Sequence, residues 1–270
     1  MRRLEGKVAF ITGAARGQGR AEAVRLADEG ASIVALDSCA TAATVAYPGP
    51  TAADLDQTAA EVRAVGGEVV TGVADVCDLQ GLQKVWDDGV AAFGAIEVVV
   101  ANAGISSANW LWETSEEQWE ETLAINLTGV FHTMKVAAPA MIRQARGGSI
   151  IAISSTAGLK GVPYLGAYSA SKHGVVGLVR TLANELAEHQ IRVNSVHPSA
   201  VDGTGMDVVD MHALVARGPE HLRARFSNPL PGPTSAQPSD IAATVAWLAS
   251  DDARFITGAQ IPVDLGTMAR

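Results

Sequence analysis

Short apolar runs alternate with longer segments of helical period along almost the whole chain, and this alternation most narrows what the chain can fold into. Runs rich in Val and Ile, with few charges, occupy residues 8–11, 32–36, 68–73, 98–101, 149–154, 192–196 and 260–263. Apolar residues at helical spacing fill 19–30, 54–65, 79–93, 119–143, 168–189 and 239–249 between them. Strands separated by helices are joined by right-handed crossovers and lie parallel; covered on both sides, they must be apolar on both. The pattern predicts a doubly wound α/β architecture, a seven-stranded parallel sheet with helices on both faces. No internal repeat or linker interrupts residues 1–270, so one domain is expected.

The turn after the first run carries Gly13, Gly17 and Gly19, with Arg16 and Gln18 between them, and leads directly into a helical pattern. Glycines in a strand-to-helix turn let the backbone approach a pyrophosphate, whose charge is stabilised by the amides of the helix N-terminus. The spacing is G-x-x-x-G-x-G, not the G-x-G-x-x-G of the general dinucleotide fingerprint, and an ordinary glycine-rich turn would use the same residues. The second run ends at Asp37, followed by Ser38, twenty residues beyond Gly17. A carboxylate there accepts hydrogen bonds from a ribose diol and repels a 2′-phosphate, which favours NAD over NADP. Arg16 pulls the other way, since a cation could meet that phosphate; Asp37 is taken to decide. The fold expected is therefore a single Rossmann domain.

Composition excludes several classes. A chain of 270 residues with 48% hydrophobic content can bury a full core. Its net charge of −9, without a Lys/Arg block, argues against a nucleic-acid surface. Cys39 and Cys77 form no C-x-x-C pair or zinc spacing, and no H-E-x-x-H occurs, so no metal is expected. Met1-Arg-Arg is basic, but the apolar run after it is too short for a secretory core, and no uncharged stretch of 18 apolar residues follows. The expectation is a cytoplasmic enzyme without a membrane segment.

Tyr168 and Lys172 stand four residues apart, on one face of an expected helix, with Ser155 thirteen residues upstream at the end of the fifth run. A phenol titrates near pH ~10, and a neighbouring cation stabilises its phenolate and makes it usable as a base. By itself such a pair also fits a buried ring beside a solvated lysine. Together with the glycine turn, the chain resembles the short-chain dehydrogenase/reductase family over nearly its whole length. The words that carry the likeness are Thr12-Gly13-Ala-Ala-Arg-Gly17-Gln-Gly19, Asp75-Val76, Asn102-Ala103-Gly104, Asn126, Ser155, Tyr168/Lys172 and Asn194-Ser-Val-His-Pro198. A narrower likeness is to its actinobacterial, carveol-dehydrogenase-like subgroup, described as mycofactocin-coupled. It rests on residues 11–20, 101–106, 157–161 and 172–178, together with the extended segment after Asp37.

The resemblance implies that Tyr168 is the acid/base, that Ser155 holds the substrate oxygen, and that Lys172 lowers the phenol's pKa and binds the nicotinamide ribose. It implies that Asn126 binds a water linking Lys172 to solvent. Ser154 competes with Ser155, but adjacent strand side chains face opposite ways and the family spacing selects Ser155. For NAD, Asp75 resembles the adenine-amine acceptor, Val76 packs on the base, and Asn102, Ala103 and Gly104 admit the adenosine side. Past the sixth run the family reads Pro-Gly-x-Val/Ile-x-Thr. Here Ser199 replaces the glycine and Thr204 comes one residue late, so Pro198 and Val201 match better than Thr204 does.

Two segments break the βαβ rhythm. Residues 38–53 are uncharged and contain Pro48, Gly49 and Pro50; they read as an insertion covering the adenosine half of the cofactor. Residues 200–237, with a short helical patch at 208–217, read as a substrate lid. Ser106, Trp110, Leu159 and Val162 are candidates for an apolar pocket, which would suit a terpenoid-like secondary alcohol or its ketone; Trp112 and Trp119 fit a core or interface better. The helices beginning at Trp119 and Tyr168 resemble those that pair in the family's homotetramer. The subgroup implies NAD held in place and reoxidised by the mycofactocin redox carrier. An NADPH-dependent oxoacyl or xenobiotic ketone reductase, and a non-catalytic NAD-sensing protein, stay open as alternatives.

Overall fold

Strand order is what sets the position of the site. In the computed structural model, which describes residues 2–206, 209–223, 226, 229–230 and 234–269, seven strands form one sheet. They are β1 (Val8–Thr12), β2 (Ser32–Asp37), β3 (Val69–Val73), β4 (Val98–Ala101), β5 (Gly148–Ile153), β6 (Ile191–Pro198) and β7 (Gln260–Val263). Their order is β3-β2-β1-β4-β5-β6-β7, every pairing parallel, so the expected sheet is present. Successive connections run outward in one direction from β1 and in the other from β4. The crevice beyond the carboxyl ends of these two strands is the ligand-binding position of such sheets.

The period-two alternation of buried strands divides the core into two layers. Val8 and Phe10 of β1 face one layer, with Trp86 of α3 (Leu79–Phe93), Met134 of α5 (Gly129–Gln144) and Val175 of α6 (Gly166–Glu185). Ala9 and Ile11 face the other, with Leu26 of α1 (Gly17–Asp28), Val62 of α2 (Ala52–Ala64) and Ile241 of α9 (Pro238–Ala249). Trp86 packs on Phe10 with ring centroids 5.3 Å apart, an aromatic anchor between helix and sheet. Among the described residues no helix is long and apolar enough to cross a membrane, and no cluster of His, Cys, Asp and Glu could hold a metal ion.

One expected helix is interrupted. The segment read as 119–143 starts earlier, at α4 (Glu116–Leu123), where Ser115 and Gln118 form a reciprocal capping box. It then passes through a π turn, Ala124–Thr128, before α5 begins. The apolar period continues through that turn, so the extra residue left no mark in the pattern. Trp112 and Trp119 are 75% and 40% exposed, which rules out the core reading for both. Of the 200–237 segment, α7 (Val209–Arg217) and α8 (Glu220–Arg223) form, while 207–208, 224–225, 227–228 and 231–233, including Val208 of the expected patch, lie outside the described residues.

Candidate active site

The carboxyl ends of β1 to β4 converge on a groove of about 250 Å³. Its lining includes Gly13, Arg16, Gln18, Asp37, Ser38, Asp75, Val76, Asn102, Ala103, Gly104, Tyr168, Lys172 and Thr204, most of the residues expected from the sequence. At the β1–α1 turn, Gly13 and Gly17 adopt φ of +68° and +56°, left-handed values that disfavour a side chain. A Cβ on Gly19 would lie 2.1 Å from the Gly13 carbonyl oxygen, so the turn closes only with glycine there.

Asn102 ties the end of β4 to the glycine turn. Its side-chain amide donates to the carbonyls of Thr12 (3.0 Å) and Gly13 (3.1 Å), and the Asn102 and Ala103 amides donate to Thr12 Oγ1 (both 3.1 Å). The residue therefore staples β4 to the glycine turn and, with Ala103 and Gly104, borders the groove. Asp37 is 6% exposed and accepts from the Ala15 amide (2.9 Å) through one oxygen and from Cys39 (3.1 Å) through the other. A carboxylate has about four acceptor positions, so two remain. Asp75 accepts from the Cys77 amide at 2.8 Å, which fixes its turn, and Val76 is packed against Gly129.

At the other end of the groove, β5 delivers two serines with opposite fates. Ser154 is buried and donates to the Lys172 carbonyl at 3.1 Å, inside the protein. Ser155 accepts from the Ala157 amide (3.1 Å), donates to the Pro198 carbonyl (3.4 Å), and its hydroxyl interacts with the Tyr168 phenol. Ser155 is the serine that meets the tyrosine. Lys172 is 3% exposed; its Nζ donates to the Ile153 carbonyl at 2.9 Å and lies 5.6 Å from the centre of the Tyr168 ring. Asn126, fully buried in the π turn, accepts from the Ile105 amide and donates to the Ile105 carbonyl, both at 2.8 Å. π turns of this kind are frequent at functional sites. Gly104 lets these groups approach: a Cβ there would sit 3.2 Å from Asn126 Oδ1 and 3.4 Å from Lys172 Nζ.

The expected depression of the phenol's pKa is not found in the protein alone. Burial pushes Tyr168 up to about 12, only partly opposed by Ser155, with Tyr47 adding a further upward push. Burial likewise brings Lys172 down to about 8. The ammonium is spent on a carbonyl and both groups are desolvated, so the cost of charging either one prevails.

The insertion also reaches further than expected. Glu121 of α4 accepts from the Ala43 amide (2.7 Å), the Thr44 amide (2.8 Å) and the Thr44 hydroxyl (2.5 Å), and so pins it across the groove. Tyr47, its one aromatic, accepts from the Ser106 amide at 2.9 Å and lines the same groove as Tyr168. The insertion thus borders the groove as far as Tyr168 and not only beside Asp37. Neither Tyr47 nor Glu121 was flagged by the sequence; a lone tyrosine in an otherwise small-residue insertion was the available sign.

Beyond β6, Val201 bridges to Ala236 through the Ala200 carbonyl and the Asp202 amide, not through Val201's own backbone groups. Thr204, late by one residue in sequence, nevertheless packs on Gly17, whose added Cβ would be 3.0 Å from its Cα. Ser106 is buried, Leu159 and Val162 are half-buried, and Trp110 is sandwiched between Trp112 and Tyr164 at 4.7 and 4.8 Å.

The family model for short chain dehydrogenase matches residues 7–213. This chain belongs to the short-chain dehydrogenase family. It is 46% identical to an NAD-dependent oxidoreductase of Mycobacterium tuberculosis, over 98% of this chain and 97% of that one. It is 44% identical to a (-)-trans-carveol dehydrogenase of Rhodococcus erythropolis, over 99% of each. A short chain dehydrogenase from Mycobacterium paratuberculosis, solved bound to NAD, superposes with a TM-score of 0.95 at 46% identity, covering 99% of this chain and 100% of the other. The groove fits such a dinucleotide on its own features. Among the described residues no side chain caps the N-terminus of α1, whose amides are thus open to an anion, and Asp37 keeps free acceptor positions at the end of β2.

Proposed function

We propose that this protein is an NAD-dependent alcohol dehydrogenase that interconverts a hydrophobic, terpenoid-like secondary alcohol and its ketone. One observation carries this reading: Ser155, Tyr168, Lys172 and Asn126, drawn from three separate elements, come together where Tyr168 and Lys172 line the groove. When bound, the nicotinamide supplies the carbon that accepts or donates hydride. Gly13, Arg16, Gly17, Gln18 and Gly19 would hold the pyrophosphate, Asp37 and Ser38 the adenosine ribose, and Asp75, Val76, Asn102, Ala103 and Gly104 the adenine side. Lys172 would hold the nicotinamide ribose, with Pro198, Val201 and Thr204 at the carboxamide.

Ser155 Oγ holds the substrate oxygen beside the phenol, and Tyr168 gives it a proton in the reducing direction, for which a pKa raised by burial keeps the phenol protonated. In the oxidising direction Tyr168 would take that proton as phenolate, which burial opposes in the protein alone. This direction would therefore need Lys172, 5.6 Å from the centre of the ring, to stabilise the phenolate once cofactor and substrate fill the groove. Asn126 keeps the Ile105 backbone beside Lys172, where a water would connect the ammonium with solvent.

The pinned insertion supports the finer proposal that NAD stays bound between turnovers and is reoxidised in place by the mycofactocin carrier. Exposed Trp119 and Phe131, on α4 and α5, support a homotetramer assembled through that segment and α6, and a cytoplasmic location is part of the same reading. Protein purified without added cofactor should contain NAD, exchange it slowly against labelled NAD, and oxidise apolar secondary alcohols with an artificial electron acceptor. Rapid exchange together with fast turnover on free NAD would overturn the tight-binding proposal; no turnover across a broad alcohol panel would overturn the catalytic one.

A further inference from the structure

His197 is fully buried at the end of β6, and both of its ring nitrogens are engaged. Nδ1 lies 2.6 Å from the Ser155 carbonyl oxygen and Nε2 lies 2.8 Å from Ser195 Oγ. A carbonyl can only accept, so Nδ1 carries the hydrogen, and Nε2 is left to accept from the Ser195 hydroxyl. Burial, joined by the charges of Lys172, His173 and Arg180, holds the imidazole pKa down at about 4 against the opposing pull of the Ser155 carbonyl. The ring is therefore a fixed neutral donor throughout the physiological range.

We propose that His197 is a positioning residue for the reaction, fixing the Ser155 backbone so that its hydroxyl stays aimed at Tyr168. The geometry favours this over simple packing. Ser155 leaves β5 in an extended conformation, with φ −168° and ψ 163°, and a 3-10 turn starts at the next residue. Its backbone carbonyl is held by His197, while its hydroxyl points to the carbonyl of the neighbouring Pro198. Two consecutive residues of β6 thus bracket Ser155 from backbone and side chain. The Gly158 amide, 2.9 Å away, is the other donor to the Ser155 carbonyl, and it belongs to the turn that Ser155 itself starts. His197 is therefore the contact that ties the residue to the sheet, and its loss would let residue and turn shift together and carry Oγ away from the phenol. The proposal rests on Ser155 acting as read above.

Two substitutions of similar polarity separate the two nitrogens. In His197→Asn the side-chain amide can occupy the place of Nδ1, which keeps the donor to Ser155; in His197→Gln it can occupy the place of Nε2, which keeps only the Ser195 contact. The expected result is a kcat within about threefold of wild type for Asn and at least tenfold lower for Gln, with KM and NAD affinity nearly unchanged in both. In a Ser155→Ala background, His197→Gln should cause little further loss, because the residue acts through that serine. Equal or reversed ranking of Asn and Gln, or the same fold-loss in both backgrounds, would overturn the proposal. Nitrogen-detected NMR of histidine-labelled protein tests the hydrogen-bond arrangement without any turnover. It should show an Nδ1-protonated ring that does not titrate between pH 5 and 8; an Nε2-protonated or titrating ring would refute it even in an enzyme that proves inactive. Inactive wild type with the expected spectrum would instead count against the catalytic reading alone.

Discussion

Replacing Glu22 with methionine should stabilise the fold, by an amount that grows with pH. Glu22 lies on the buried face of α1, fully screened from solvent, and neither carboxyl oxygen has a hydrogen-bond partner among the described residues. Burial with nothing to offset it pushes the pKa from 4.5 to about 8. The folded protein therefore retains a proton that the unfolded chain releases. Stability is complete below pH 4.5, declines as pH rises toward 8, and levels off beyond. One pH unit is about 1.36 kcal/mol, so the loss approaches ~5 kcal/mol over the whole interval and about 3 kcal/mol by pH 7. Methionine has similar length and no charge, so the variant should lack this slope. Urea unfolding followed by circular dichroism at pH 5, 7 and 8.5 measures it. The advantage of Glu22→Met over wild type should widen by roughly 4 kcal/mol between the extremes. Stability curves that run parallel across this range would refute the reasoning, since they would mean that Glu22 ionises in the folded protein as freely as in the unfolded one.

The other predictions concern the site. An ultraviolet difference titration of NAD-free wild type against Tyr168→Phe should reveal no phenolate from Tyr168 below pH 10, because burial holds its pKa near 12; phenolate at pH 8 would contradict this. Glu121→Ala removes three hydrogen bonds to the insertion, each to an ionised acceptor, and should speed NAD release tenfold or more as measured by exchange of labelled cofactor, with the circular dichroism spectrum unchanged. Gly104→Ala places a methyl 3.2 Å from Asn126 Oδ1 and 3.4 Å from Lys172 Nζ, so steady-state kinetics should show a severalfold lower kcat in protein that still folds.

The sheet was legible because strands buried on both faces must be apolar throughout, and β4, buried at every position, falls where its apolar run does. The meeting of Ser155, Tyr168 and Lys172 was legible because a tyrosine, a lysine one helical turn later and a serine at a strand end gain meaning together with the glycine turn, although the pair alone also fits a buried ring beside a solvated lysine. Other features depend on contacts distant in sequence. Glu121 and Thr44 are 77 residues apart, so nothing local marks the pin on the insertion. The π turn at Asn126 preserves the apolar period on either side and was read as continuous helix. The staple that Asn102 makes is equally non-local, since the Thr12 and Gly13 carbonyls that occupy its amide are supplied by another strand and its turn. The direction of the Tyr168 shift depends on how deeply the ring is desolvated, which residue identity does not report.

The most direct test of the central claim is a single-turnover experiment on NAD-loaded protein. Apolar secondary alcohol is added without any other electron acceptor, and absorbance at about 340 nm reports reduction of the bound nicotinamide. Wild type should show near-stoichiometric reduction, and Tyr168→Phe, carrying the same amount of NAD, should be slower by a factor on the order of 10³. Equal rates in the two proteins would contradict the role assigned to the Tyr168 phenol and, with it, the account of the site.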